Sequence, residues 1–155
     1  MSVYIFSSVS EKNGGWAYTS SSNTDVGVTC QWGTVKENMN KNYIDIIGLY
    51  KACEVINLDD ITNIYINSKY IIDGLHLCET WKLNNWKSKN DKQIKNKEMW
   101  ELIYEKQQYN IFNISTYLQT PQDNKYFKMA ERLSNEASSC LVTHFPELLN
   151  ECMII

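Results

Sequence analysis

The hydrophobic pattern changes its period several times along the chain, and the order of these changes restricts the fold. Residues 3–6, 16–21 and 25–32 are short apolar or alternating segments, which is typical of β-strands. Residues 42–56 then carry apolar side chains at helical spacing, and residues 61–66 alternate again. Three successive strands, a helix and a further strand predict an antiparallel meander joined to a parallel crossover.

The second half of the chain continues the alternation of helices and strands. Ser68 is a suitable N-cap for a helix over residues 70–79, and a second helix is predicted over 97–106. Residues 110–117 alternate as a strand, and residues 124–140 form a long amphipathic helix pattern. The prediction is an α/β fold with a five-stranded mixed sheet, an antiparallel meander plus parallel strands, flanked by helices.

Length and composition limit the organisation of the chain and its setting. A chain of 155 residues suits one domain, which we assign to residues 1–140, with a packed or partly helical tail at 141–155. The five cysteines are odd in number and have no C-x-x-C spacing, which disfavours a zinc site or a disulfide framework. No apolar run approaches the about 18 residues of a membrane span. We therefore expect free thiols, an intracellular protein of the cytoplasm or nucleus, and no membrane partner.

Positive charge is concentrated in one short segment. Residues 82–97 contain six lysines and one aspartate, for a net charge of +5, whereas the whole chain carries −3 and the remainder therefore −8. Trp81 and Trp86 are interleaved with these lysines. We call residues 81–97 the basic handle. Any nucleic-acid binding is expected from this local patch, because the molecule as a whole is acidic.

Several sequence motifs point to one family. Residues 81–87 read Trp-Lys-Leu-Asn-Asn-Trp-Lys, and residues 94–100 read Ile-Lys-Asn-Lys-Glu-Met-Trp. Residues 42–47 read Asn-Tyr-Ile-Asp-Ile-Ile, and residues 67–75 read Asn-Ser-Lys-Tyr-Ile-Ile-Asp-Gly-Leu. In this order and spacing they resemble the ribonuclease H family, whose members carry Asn-Arg-Met-Glu-Leu, Asp-Ser-Gln-Tyr-Val and Trp-Lys-x-x-Gly-Trp-Lys motifs. The resemblance covers roughly residues 3–138.

The resemblance implies a two-metal active site whose carboxylates are mostly missing here. The family uses three aspartates and one glutamate, which offset the charge of two Mg²⁺ ions. The matching positions are Ser8, Asp45, Asn67 and Lys128, of which only Asp45 is a carboxylate. We therefore predict that Mg²⁺ or Mn²⁺ binding is lost, that no cofactor is bound, and that the protein does not cleave RNA.

Lys128 could take over part of the role of the metal. One hypothesis is that its ammonium pairs with Asp45 and neutralises an otherwise isolated buried carboxylate. The alternative is that Lys128 points into solvent, which is usual for lysine.

The resemblance also implies a nucleic-acid surface. In the family the handle contacts the phosphates of the DNA strand, and further contacts lie near the scissile bond. The matching residues are Asn42, Lys69, Trp81, Lys82, Trp86, Lys87, Lys89, Lys92 and Lys95. The alternatives are that the lysines are ordinary solvated surface and that the tryptophans pack inside the handle.

Three functional hypotheses remain from the sequence. The first is a pseudoenzyme that binds an RNA–DNA hybrid, double-stranded RNA or other structured RNA without cleaving it. The second is a protein-interaction module within a replication or ribonucleoprotein complex. The third is a metal-dependent nuclease with an altered active site.

Overall fold

The computed structural model describes residues 1–21, 28–36, 40–56, 61–115 and 124–139. Within them the chain forms five strands and four helices, in the order that the sequence predicted. These are β1 (Ser2–Val9), β2 (Asn13–Ser21), β3 (Val28–Lys36), α1 (Lys41–Cys53), β4 (Ile61–Tyr65), α2 (Lys69–Leu83), α3 (Lys97–Tyr109), β5 (Ile111–Ser115) and α4 (Lys125–Ser138). The proposed tail at 141–155 lies outside the described residues.

The sheet is mixed, and β1 lies at its centre. The strand order is β3-β2-β1-β4-β5. β2 pairs antiparallel with both β1 and β3, whereas β4 runs parallel to both β1 and β5. The antiparallel meander and the parallel half of the sheet confirm the predicted fold class.

Helices cover the sheet on both faces. Val3, Ile5 and Ile64 point to the face on which α1, α2 and α3 build the main core. The opposite face carries Ala17 and Cys30, which pack against α4 in a second, smaller core. This division follows from the two-residue period of strands, because alternate side chains point to opposite faces.

Short polar side chains fix where three of the helices begin. The Asn40 side chain accepts hydrogen bonds from the backbone N–H groups of Asn42 and Tyr43 at the start of α1. Ser68 caps α2 by accepting from the N–H of Ile71, as the sequence predicted, and Asn124 caps α4 in the same way. These bonds satisfy amide donors that have no partner within the helix.

The cysteines in the described part of the chain are buried free thiols. Cys30, Cys53 and Cys78 form no disulfide, which agrees with the predicted free thiols at these positions. Burial raises the pKa of the Cys53 and Cys78 thiols to about 12, which makes both thiols poor nucleophiles. Across the same described residues, no helix combines the length and apolar character needed to cross a bilayer.

α4 approaches β2 closely enough to exclude a side chain at Gly15. A Cβ atom there would lie 2.2 Å from the Ser134 carbonyl oxygen and 2.3 Å from the Ser138 amide nitrogen. Both are backbone atoms, so the contact can be relieved only by moving the helix. On the other face of the sheet, Gly48 of α1 faces a side-chain methyl of Ile5, and a Cβ would lie 2.9 Å from it.

We predict that Gly15→Ala lowers the free energy of unfolding by about 3 kcal/mol, because the added methyl pushes α4 off the sheet. Gly48→Ala is the matched control. Its milder clash is offset by the gain in helix propensity of about 1 kcal/mol, so its effect should be clearly smaller. Urea denaturation of both variants measures the difference, and equal stability of the two would contradict this account of the α4 contact.

Candidate functional site

The site lies where two neighbouring parallel strands end. β1 and β4 are parallel neighbours, so their carboxyl ends meet at the same edge of the sheet. A cleft of about 240 Å³ opens at this edge beside the start of α1. Its polar lining consists of Ser7 at the end of β1, Asn67 after β4, and Lys41 and Asp45 on α1.

Asp45 is the centre of a small hydrogen-bonded cluster in this cleft. The residue is only 4% exposed. Its Oδ1 atom accepts a hydrogen bond from the Lys41 ammonium at 2.6 Å and a second one from the Ser7 hydroxyl. The Lys41 ammonium also donates to the Ser7 Oγ atom. The three side chains therefore satisfy one another, and Asp45 is not an isolated buried charge.

Two of the four positions predicted from the resemblance meet in the cleft. Asp45 and Asn67 both line it, whereas Ser8 and Lys128 do not. Ser8 points to the opposite face of the sheet, where its Oγ atom lies 3.5 Å from the Ser138 hydroxyl on α4. The side chain that reaches the cleft from β1 is its neighbour Ser7, because successive residues of a strand face opposite sides.

The hypothesis that Lys128 pairs with Asp45 is wrong. Lys128 occupies an exposed position on α4, and the lysine bound to Asp45 is Lys41. The sequence does contain a signal for this pair, since Lys41 and Asp45 are four residues apart on a predicted helix. That signal is weak on its own, because i,i+4 pairs of opposite charge are common on exposed helix faces and rarely mark a site.

The residues in the cleft do not fit a pair of divalent ions. Asp45 is the only carboxylate among the described residues that line the cleft, and Lys41 already binds it. Ser7 and Asn67 offer neutral oxygens, which cannot offset the mutual repulsion of two dications. More widely, the structure groups no three His, Cys, Asp or Glu residues of the described ranges in a way that could hold a metal ion.

The basic handle is a compact hairpin between α2 and α3. Asn85 and Trp86 adopt left-handed φ values of 56° and 59°, which reverse the chain after α2. Lys87 and Gln93 then form an antiparallel bridge, and the Ser88 N–H donates to the Lys92 carbonyl at 2.7 Å. The handle therefore has a defined backbone and is not a loosely held loop.

Aromatic packing holds the handle against the core. Trp86 is 9% exposed and packs edge-on against Tyr104, and Trp81 packs edge-on against the buried Trp100. The backbone N–H of Trp86 also donates to the backbone carbonyl of Trp81 at 2.6 Å. These contacts support the packing alternative for both tryptophans, and a role of either indole in nucleic-acid binding stays a prediction.

The handle lysines are presented to solvent. Lys82, Lys87, Lys89, Lys92 and Lys95 are all exposed. Lys87 lies 3.6 Å from the Asp91 carboxylate, and the Lys82 ammonium lies over the Tyr104 ring. Two further predicted contacts, Asn42 and Lys69, are exposed near the beginnings of α1 and α2. Lys69 forms a 2.7 Å ion pair with Asp73, and this hydrogen bond raises the Lys69 pKa.

Comparison with known sequences finds a family match and relatives named Ribonuclease H. The RNase H family profile matches residues 1–139. The Ribonuclease H of Clostridium botulinum is 25% identical over 123 residues, which cover 72% of this chain and 80% of that protein. The Ribonuclease H of Ruthia magnifica is 32% identical over a shorter stretch of 71 residues, or 44% of this chain and 49% of that protein.

Solved structures share the fold at low sequence identity. A foamy viral protease-reverse transcriptase in complex with double-stranded DNA superimposes with a TM-score of 0.66 at 15% identity, covering 90% of this chain and 92% of that chain. LC11-RNase H1 in complex with an RNA/DNA hybrid gives a TM-score of 0.55 at 16% identity, covering 90% and 96%. The sequence match and the order of elements lead to one conclusion: the chain belongs to the RNase H family.

Proposed function

We propose that this protein binds an RNA–DNA hybrid through the basic handle and does not cleave it. The observation that carries the binding part is the hairpin of the basic handle, which is held by backbone hydrogen bonds and presents exposed lysines at its turn. Lys89 lies within its turn and Lys92 directly follows the turn, and neither forms an ion pair with a carboxylate of the described residues. Their ammonium groups are therefore free to neutralise phosphates.

The choice of ligand is supported by the family and by the chemistry of the handle. Similar proteins are named Ribonuclease H, and one similar structure contains an RNA/DNA hybrid. Lysines contact phosphates without reading bases, so the distinction between duplexes must come from groove width and from 2′-hydroxyl contacts. A hybrid and double-stranded RNA share an A-like groove, and they are expected to compete for this surface better than double-stranded DNA.

The loss of cleavage is supported by the composition of the cleft. Two-metal hydrolysis needs several anionic ligands around the metal pair. Here a single buried carboxylate, Asp45, is bound by a lysine and a serine hydroxyl. On this proposal, the protein has the nucleic-acid-binding handle of its family and lacks the metal-binding carboxylates that cleavage needs.

The protein-interaction hypothesis has one specific observation in its favour. Ile61 and Ile111 are paired across β4 and β5, and they are 50% and 62% exposed. Adjacent exposed apolar side chains on a sheet face are a common feature of protein interfaces. One proposal uses the basic handle and the other uses the surface around Ile61 and Ile111. A nucleic-acid binding assay distinguishes them directly.

We predict that the protein retards a labelled RNA–DNA hybrid in a native gel without shortening the RNA strand. The result should be the same with EDTA and with Mn²⁺, because the cleft does not fit metal ions. Failure to retard any duplex at low salt would reject the binding proposal and favour a protein partner. RNA cleavage in Mn²⁺ that Asp45→Ala abolishes would instead establish a nuclease with an altered active site.

We also predict that Lys89→Gln/Lys92→Gln weakens hybrid binding by roughly tenfold at low salt and reduces the slope of log K against log salt by up to about 2. The matched control is Lys12→Gln/Lys36→Gln. It makes the same change in net charge at two exposed lysines outside the handle, Lys12 in the turn between β1 and β2 and Lys36 at the end of β3. Equal losses in both double variants would mean that only net charge, and not the handle, attracts the nucleic acid.

A further inference from the structure

We infer that the ammonium of Lys41 takes the place of a divalent cation and keeps metal ions out of the cleft. This inference rests on the metal-free part of the proposed function and is independent of binding by the handle. It assigns to Lys41 a role that the alignment of family positions does not contain. It also explains why a single buried carboxylate persists where its partners are missing.

The first argument is the geometry of Lys41. Its Nζ atom lies 2.6 Å from Asp45 Oδ1 and also donates to the Ser7 hydroxyl. It therefore touches both polar groups that β1 and α1 contribute to the cleft. A metal ion bound to the same Oδ1 atom would lie close to the ammonium, and the two cations would repel each other.

The second argument concerns burial. The Asp45 side chain is 6% exposed, whereas that of Lys41 is 49% exposed. The carboxylate therefore depends on a nearby cation, while the lysine keeps contact with water along part of its side chain. A flexible lysine can supply this charge from outside, because its long stem reaches the cleft while remaining half solvated.

The third argument is the position of Lys41 in α1. It is the first residue of the helix, and the first turn carries no acidic residue. A cation in the first turn is unfavourable, because it opposes the positive end of the helix dipole. The Lys41 to Asp45 order is also the less favourable one for an i,i+4 pair. A purely local benefit to the helix is thus a poor explanation for this lysine, and its contacts in the cleft provide a better one.

The experiment adds a second carboxylate and asks whether Lys41 blocks the metal. Asn67 lines the cleft and is exposed, so Asn67→Asp should fold normally. Mn²⁺ affinity is measured by calorimetric titration for Asn67→Asp alone and for Lys41→Ala/Asn67→Asp. We expect at least tenfold tighter binding in the double variant, and a rise in its melting temperature of about 3 °C with saturating Mn²⁺.

Lys51→Ala/Asn67→Asp is the matched control. Lys51 is also on α1 and also pairs with a carboxylate, that of Glu54 at 3.7 Å, but it does not line the cleft. Its removal should leave Mn²⁺ affinity at the level of Asn67→Asp. Equal affinity in the Lys41 and Lys51 double variants would overturn the inference.

Two further measurements keep the test decisive. If Lys41→Ala does not fold, Lys41→Gln keeps most of the stem and removes only the charge, and the same increase in affinity is expected. Wild-type protein and Asp45→Asn should respond identically to Mn²⁺. Mn²⁺ binding by the wild type that Asp45→Asn removes would show that Lys41 does not exclude the metal. None of these assays contains nucleic acid, so their outcome is separate from that of the gel assay.

Discussion

β1 is the central strand of the sheet, and the alternation of its side chains organises both the core and the cleft. Val3 and Ile5 point to the face of the sheet that α1 covers. Ser7, two residues further along, points to the same face and lines the cleft. Tyr4 and Phe6 point to the other face and pack against aromatic rings of α4. β1 pairs with strands on both sides, and a shift of its register by one residue would exchange the two faces. The fold therefore determines which hydroxyl reaches Asp45.

The fold followed from the sequence because each element carries its own local pattern. The sequence predicted the periods of the apolar residues, the Ser68 cap and the order of strands and helices. The ends of the elements were less accurate: α3 extends to Tyr109, beyond the predicted 106, and β1 begins at Ser2 and ends at Val9. Element ends depend on tertiary contacts and on hydrogen bonds that local patterns do not specify.

The site was only partly predictable, for two physical reasons. Motif alignment identified Asp45 and Asn67, but it assigned the β1 position to Ser8, and a shift of one residue in a strand moves a side chain to the opposite face. Lys41 belongs to no family motif, so alignment could not reveal it. Its role depends on the distance between a helix start and the end of a strand, and that distance exists only in the folded molecule.

Opposite charges are paired in the cleft, whereas positive charge is in excess in the basic handle. In the cleft, Lys41 and Asp45 neutralise each other at 2.6 Å, so this region contributes little to the long-range field. In the handle, cations outnumber carboxylates and the fold spreads them over a hairpin, so their field extends into solvent for about a Debye length of 8–10 Å. A duplex approaching this protein would be attracted by the handle and would meet a neutral cleft. Attraction of phosphates and activation of water depend on separate groups in this fold, which is why we propose that this protein performs the first without the second.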